Sequence, residues 1–247
     1  MKLNELKNKL KIISNKGYIP TLRNGDTGVG QTLEQELGLT ENNDSAPDLG
    51  SLGELKARRS KQNSLISLVS INRCIEWGSR CGCLYDAITY FGKERTDGEF
   101  VLNLSLNFKG KTEIVNEERG FTAKIWGNKI RFYGTEQWMP SGYFFSINLN
   151  KAYELYENKF GSGLISVNAD TMGTGVHEKF HYKSAYRYSF LNLQRLVNLV
   201  KSGIIKIDFR CRTQNGGYGV RDRGTVLRIH PKDVGCLYNH TENLLSA

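Results

Sequence analysis

Glu54-Leu55-Lys56 can sit in a folded chain in few ways. An apolar residue between opposite charges suits a strand at the rim of a core, where side chains alternate faces. Leu55 turns inward, and Glu54 and Lys56 project together on the other side. A carboxylate and an ammonium then share one small space. Upstream, Pro47-Asp48 precedes a Leu49-Gly50-Ser51 bend that lets Asp48 come back alongside Glu54. Two hard carboxylate oxygens placed close together suit Mg²⁺, which prefers oxygen ligands and keeps several waters. Such an ion activates a water and steadies charge developing at a phosphoryl centre, while Lys56 orients the nucleophile or neutralises charge. Asp, Glu and Lys are also common surface residues, so the pattern alone equally describes a solvated strand.

Context favours the chemical reading. Thr32 to Leu37 reads as a short helix entered through a glycine loop, and it offers Glu34 as a third acid toward the same metal. Taken in order, the segment from Gly25 to Glu34 (GDTGVGQTLE), Glu41-Asn42-Asn43, Pro47-Asp48 and Glu54-Leu55-Lys56 resemble the PD-(D/E)xK nucleases of the MutH-like branch. The order of these blocks is most similar to the MvaI/BcnI group of restriction endonucleases. The resemblance implies catalytic Asp48, Glu54 and Lys56 with Glu34 nearby, and Mg²⁺ held by Asp48, Glu54 and the backbone carbonyl of Leu55. The gap of five residues between Asp48 and Glu54 makes Asp48 the less firmly placed of the three.

The chain has 247 residues, a net charge of +9 and a pI near 9.3. That length suits one large domain or two intimate lobes, and the charge favours a polyanionic partner such as nucleic acid. No run of about 18 apolar residues occurs, and MKLNELKNKLK is too charged for a signal peptide, so a cytoplasmic protein without a membrane partner is expected. Five cysteines in such a chain are expected to be reduced thiols, and the Cys74, Cys81, Cys83 spacing is not a usual zinc pattern.

Leu3, Leu6, Leu10 and Ile13 recur at helical spacing and predict an amphipathic first helix ended by Gly17. Glu41 to Pro47 reads as a polar turn delivering Asp48. Strands are expected over Leu65–Ser70, Val101–Phe108 and Leu164–Val167, with a hairpin at Gly127-Asn128 and a helix from Asn150 to Lys159. Arg58, Arg59 and Lys61 follow the Glu54 strand. A basic run is usually a solvated face, but beside a phosphodiesterase centre it supplies phosphate contacts.

Two motifs point elsewhere. Gly25 to Thr32 nearly spells a phosphate-binding P-loop, but Gln31 stands where the lysine belongs, so no nucleotide cofactor is expected. His177-Glu178-Lys179-Phe180-His181 satisfies the H-E-x-x-H rule of zinc peptidases, which needs both histidines on one helix face. Glycines before it and an aromatic, β-favouring run after it predict a strand instead.

Phe190 to Lys201 has helical periodicity, stopped by Gly203. Ile205–Cys211 and Val226–His230 alternate as strands, with Lys206, Asp208, Arg210 and Arg228 on polar faces across a flexible Gln214–Gly219 segment. In the resembling family this block supplies arginines that read guanines. The resemblance therefore assigns that role to Arg210 and Arg228, with Asp222 and Arg223 in the loop that shapes the site. A guanidinium fork matches guanine O6 and N7, although a lone strand arginine is as readily a phosphate clamp.

The expected fold is α/β, a mixed central sheet with flanking helices. One nuclease domain over 1–247 is expected to divide into a catalytic lobe (1–160) and a recognition lobe (161–247) around double-stranded DNA. The expected activity is Mg²⁺-dependent, sequence-specific cleavage by a Type II restriction endonuclease acting as a monomer and nicking the strands in turn, with a cognate methyltransferase as companion. A strand-nicking repair enzyme of MutH type is the nearest alternative, and the zinc peptidase a remote one.

Overall fold

The structure is a computed structural model, and it describes residues 1–39, 46–79, 81–106, 113–114, 120–134, 142–214 and 219–245. The expected Glu41–Pro47 turn, the far end of the strand to Phe108 and the segment after Gln214 fall largely outside those residues. In chain order the elements are α1 (Leu3–Asn15), β1 (Ile19–Pro20), α2 (Gly28–Leu37), β2 (Glu54–Arg59), β3 (Ile66–Ser70), β4 (Ile75–Trp77), α3 (Leu84–Phe91), β5 (Lys93–Glu94) and β6 (Phe100–Leu106). Then come β7 (Glu113–Ile114), β8 (Gly120–Trp126), β9 (Lys129–Gly134), β10 (Phe145–Asn148), α4 (Leu149–Phe160), β11 (Leu164–Met172) and β12 (Lys179–Leu191). The chain closes with α5 (Leu193–Lys201), β13 (Lys206–Thr213), β14 (Val220–Asp222), β15 (Val226–Ile229) and β16 (Tyr238–Asn243).

Two compact units emerge, and neither is a continuous piece of chain. The first takes Met1–Ser64, Tyr156–Asn192 and Val234–Ala247, and the second Leu65–Leu155 and Leu193–Asp233. A single cut near residue 160 therefore does not describe the division. The chain crosses between the units several times because strands distant in sequence must pair to close each sheet.

The first unit is built on a mixed sheet in the order β1-β12-β11-β2, with β16 also pairing β12. Among its described strand pairs, only β2 and β11 run parallel. Leu6, Leu10 and Ile13 of α1 and Val29, Leu33 and Leu37 of α2 are buried with Leu55, Ile165, Val167 and Phe180 in one core. The leucine spacing read from the sequence is thus the buried stripe of α1.

In the second unit, two antiparallel sheets run β4-β10-β9-β8-β7 and β3-β15-β13-β6-β5, with β14 added to β13. Phe132 and Phe145 stack at 4.5 Å between ring centroids, and Phe209 of β13 meets Phe145 edge-on at 5.6 Å. Phe209 thereby ties one sheet to the other, and its neighbours Asp208 and Arg210 face the opposite side of β13. The hairpin at Gly127-Asn128 forms as expected, with Trp126 paired to Lys129.

The helix expected from Phe190 starts later. Leu191 pairs with Tyr238, and the Asn192 amide donates to the Leu237 carbonyl, so the chain stays extended through Leu191. Phe190 takes φ +60 there, and α5 begins at Leu193. No described helix is long and apolar enough to cross a membrane.

Candidate functional site

β2 starts where two glycines meet. Gly53 has φ +115, and a Cβ on it would fall 2.1 Å from the Gly163 carbonyl oxygen. Only glycine lets the chain enter so close beside β11, where the Glu54 amide donates to that same carbonyl at 3.0 Å. Pairing then sets Glu54 against Leu164 and Lys56 against Ser166. Leu55 turns into the α1–α2 core, and Glu54, Lys56 and Arg58 share the other face.

A tight loop returns Asp48 to this strand. The Leu49 amide donates to the Gly53 carbonyl and the Gly50 amide to the Pro47 carbonyl, both at 3.0 Å, while Leu49 and Leu52 are buried as anchors. Asp48 Oδ2 accepts the Leu55 amide at 3.1 Å. β2 is the edge of its sheet among the described residues, and the carboxylate caps a donor on the side away from β11.

Glu54 is 1% exposed. Its Oε1 accepts from Lys56 Nζ at 2.5 Å and lies 3.2 Å from Lys159 Nζ, whereas Oε2 is buried without a hydrogen-bond partner. Lys159 was not singled out in the sequence. It stands near the end of α4, which Tyr156 anchors by stacking on Phe160 and by meeting the Tyr238 hydroxyl at 3.2 Å. Burial, and next the charge of Glu54, push Asp48 above the usual carboxylate range, against the smaller opposing pulls of the Leu55 amide and Lys56.

These residues suit a hard divalent cation. Among the described residues no group of three or more His, Cys, Asp or Glu side chains gathers for a metal. Two carboxylates with a backbone carbonyl match an ion that keeps most of its waters. The buried, unpartnered Glu54 Oε2 beside Asp48 is an oxygen that fits a bound cation.

The other predicted residues are distributed unevenly. Glu34 lies on α2, the helix whose Val29, Leu33 and Leu37 share the core with Leu55. Gly28 and Gly30 belong to α2 itself. Arg58 donates to the Gln62 carbonyl, and Lys61 is exposed. Arg59 is engaged internally: its fork meets both Glu178 oxygens at 2.6 and 2.7 Å, and it donates to the Gly25 and Asp26 carbonyls.

That ion pair also removes the peptidase reading. Glu178 holds Arg59, His177 ends a short 3-10 turn, and His181 lies in β12 with Nε2 3.1 Å from the Ser14 carbonyl oxygen. The motif is extended where a zinc peptidase needs a helix. All five cysteines are free. Burial pushes the Cys74 thiol up to about 11 and Cys81 to about 12, keeping both protonated.

In the second unit Asp208, 4% exposed, organises the arginines. Its Oδ2 lies 3.1 Å from Arg228 Nη1 and 3.4 Å from Arg210 Nη2, and its Oδ1 accepts from the Ser105 hydroxyl. A pocket of about 690 Å³ opens over them, lined also by Ser67, Asn103 and Arg223. Asp222 faces its own turn, accepting the Gly224 amide at 2.8 Å and the Cys211 thiol at 3.3 Å. It shapes the loop and does not enter the pocket.

The sequence profile of the MvaI/BcnI restriction endonuclease family matches residues 7–238. The chain belongs to this family. Membership places it among restriction endonucleases, which are DNA nucleases. Its fold agrees with that family: a solved structure of restriction endonuclease MvaI with its cognate DNA substrate superposes with TM-score 0.75 at 21% identity, over 99% of both chains. MvaI in the absence of DNA superposes with TM-score 0.58 at 19% identity, over 99% of this chain and 98% of the other. No curated protein matches this family member in sequence.

Proposed function

We propose that this family member is a Type II restriction endonuclease that hydrolyses phosphodiester bonds of double-stranded DNA at a specific sequence, with Mg²⁺, leaving 5′-phosphates. The observation that carries the reading is the buried Glu54 carboxylate, held by Lys56 and Lys159 beside Asp48 at the open edge of β2.

Asp48, Glu54 and the Leu55 carbonyl would hold the ion. Bound there, Mg²⁺ supplies Lewis acidity at the phosphate and lowers the pKa of a coordinated water. Lys56, fixed on Glu54 Oε1, orients the attacking water and offsets negative charge as the phosphorus becomes pentavalent. Lys159 adds a second cation at the same Glu54 oxygen, Oε1. Glu34 acts outside the inner set, through the α2 surface. Arg58 and Lys61 meet phosphates, and Arg210 and Arg228 read guanines, with Asp222 and Arg223 shaping the loop.

On this reading the first unit is catalytic and the second recognises sequence. The enzyme works as a cytoplasmic monomer, nicks the strands one after the other, and is accompanied by a methyltransferase that protects its sites. Purified protein incubated with a sequenced plasmid and Mg²⁺ should give fixed fragments whose mapped ends define one short site. Nicking without linearisation would favour the repair-type alternative, and random degradation would remove specificity from the reading.

A further inference from the structure

Beyond the Asp208 pocket, the polar face of β13 continues into a second, smaller basic hollow. Alternation puts Arg212 on the same face as Asp208 and Arg210. Strand register then sets Arg212 directly opposite Arg221 of β14 and, on its other side, Val101 of β6. The Arg223 amide donates to the Arg210 carbonyl, which places Arg223 beside Arg210 in the neighbouring row. These four arginines and Arg95 line a hollow of about 140 Å³.

Its charge is not balanced from within. Arg95 meets Asp97 at 3.2 Å, Arg212 meets Glu99 at 3.5 Å, and Arg210 shares Asp208 with Arg228. Arg221 and Arg223 have no ion pair among the described residues. Like charges directly opposite on antiparallel strands destabilise a sheet, and Glu99 offsets the Arg212 side of the Arg212–Arg221 pair alone. Nor is Arg212 a freely solvated side chain: it is 31% exposed, and its Nε is buried with no partner.

A guanidinium cluster with unfilled donors fits a tetrahedral oxyanion better than a base edge. Phosphate presents several acceptor oxygens to planar forks arriving from different strands, and the Val101 side chain offers no competing acceptor. We propose that Arg212, Arg221 and Arg95 form a binding site for one backbone phosphate of the DNA duplex, next to the bases contacted by Arg210. The inference rests on the proposed function and adds to it a clamp that fixes the register of the recognising strands without reading sequence.

The test uses the full-length protein with Ca²⁺ in place of Mg²⁺, and cognate and scrambled duplexes titrated at several salt concentrations. Arg221→Ala should weaken both duplexes alike and lower the slope of log affinity against log salt by about one unit, and Arg221→Lys should restore the slope. Arg221 is exposed and has no ion pair among the described residues, so a folding defect is not expected, and matching melting curves would verify this. Duplexes carrying a single neutral methylphosphonate should reveal one position that weakens wild type and leaves Arg221→Ala indifferent. A wild-type slope in Arg221→Ala, or a loss confined to the cognate duplex, overturns the phosphate site. Failure of the wild type to bind either duplex overturns the functional reading and the phosphate site with it.

Discussion

The Leu55 amide donates to Asp48 Oδ2 at 3.1 Å, so the residue between Glu54 and Lys56 holds the third member of the set in place. The side chain of Leu55 serves the core while its backbone serves the site. Position within β2 is therefore coupled to position of the acids, and a one-residue slip would exchange the faces of Glu54 and Leu55.

Glu54→Ala and Lys56→Ala should abolish cleavage while leaving specific binding largely intact. On the proposed function both side chains act on the metal and the reacting phosphate, not on base edges. Fragment yield from a plasmid digest, set beside duplex affinity in Ca²⁺, gives the answer; full-rate cleavage by either variant would detach these residues from the chemistry.

Asp48→Asn separates stability from catalysis. Burial and the Glu54 charge raise the folded-state pKa of Asp48 above its unfolded value. The sign follows by linkage: wild-type stability is greatest below the unfolded pKa, falls as pH rises towards the folded pKa, and stays reduced above it. Asn keeps an acceptor for the Leu55 amide and drops the charge. In a metal chelator at neutral pH the variant should melt above wild type and lose this part of the pH dependence. Divalent cation should stabilise wild type more than the variant. Melting curves over the acidic to neutral range, with and without Mg²⁺, test each step.

Lys159→Ala should lower stability by about 1–3 kcal/mol in chelator, because it leaves Glu54 with one cationic partner fewer in a buried setting. Added Mg²⁺ should narrow the deficit by neutralising the same carboxylate. Equal melting of variant and wild type in chelator would mean that the 3.2 Å approach contributes nothing.

What could be read from the sequence was mostly local. Alternation in Glu54-Leu55-Lys56, the leucine stripe of α1 and the Gly127-Asn128 hairpin depend on near neighbours, and each reappears in the structure. Lys159, the Arg59–Glu178 pair and the sharing of Asp208 by two arginines join segments far apart in the chain, and no spacing rule brings them together. Asp208 did carry a trace, since Lys206, Asp208 and Arg210 alternate onto one polar face. The start of α5 differs for a complementary reason: the spacing of Leu193, Leu196, Val197 and Val200 is helical, but ladder pairing of Leu191 to Tyr238 keeps the chain before it extended.

Arg59 separates two roles that a basic run leaves mixed. Its bidentate pair with Glu178 and its bonds to the Gly25 and Asp26 carbonyls tie β2 to the loop before α2. Arg59→Ala should cost about 2 kcal/mol of stability and leave the salt slope of binding unchanged. A slope reduced by about one unit would instead make Arg59 a phosphate contact.

Arg228 is the sharpest test of recognition. Its side chain is 18% exposed and meets Asp208 at 3.1 Å, an arrangement that fixes the fork before any partner arrives. Pre-orientation of that kind suits bidentate contact with guanine O6 and N7, since little side-chain freedom is left to lose on binding. Arg228→Ala should therefore cost about 1–3 kcal/mol of discrimination at one base position, while affinity for scrambled DNA changes little. Since the substitution also leaves Asp208 with Arg210 as its remaining cation, melting curves must show the variant folded at the assay temperature. Competition among duplexes substituted at each position of the mapped site would locate the base. Loss of cognate and scrambled affinity in equal proportion would make Arg228 a phosphate contact and move sequence reading away from the polar face of β13 and β15.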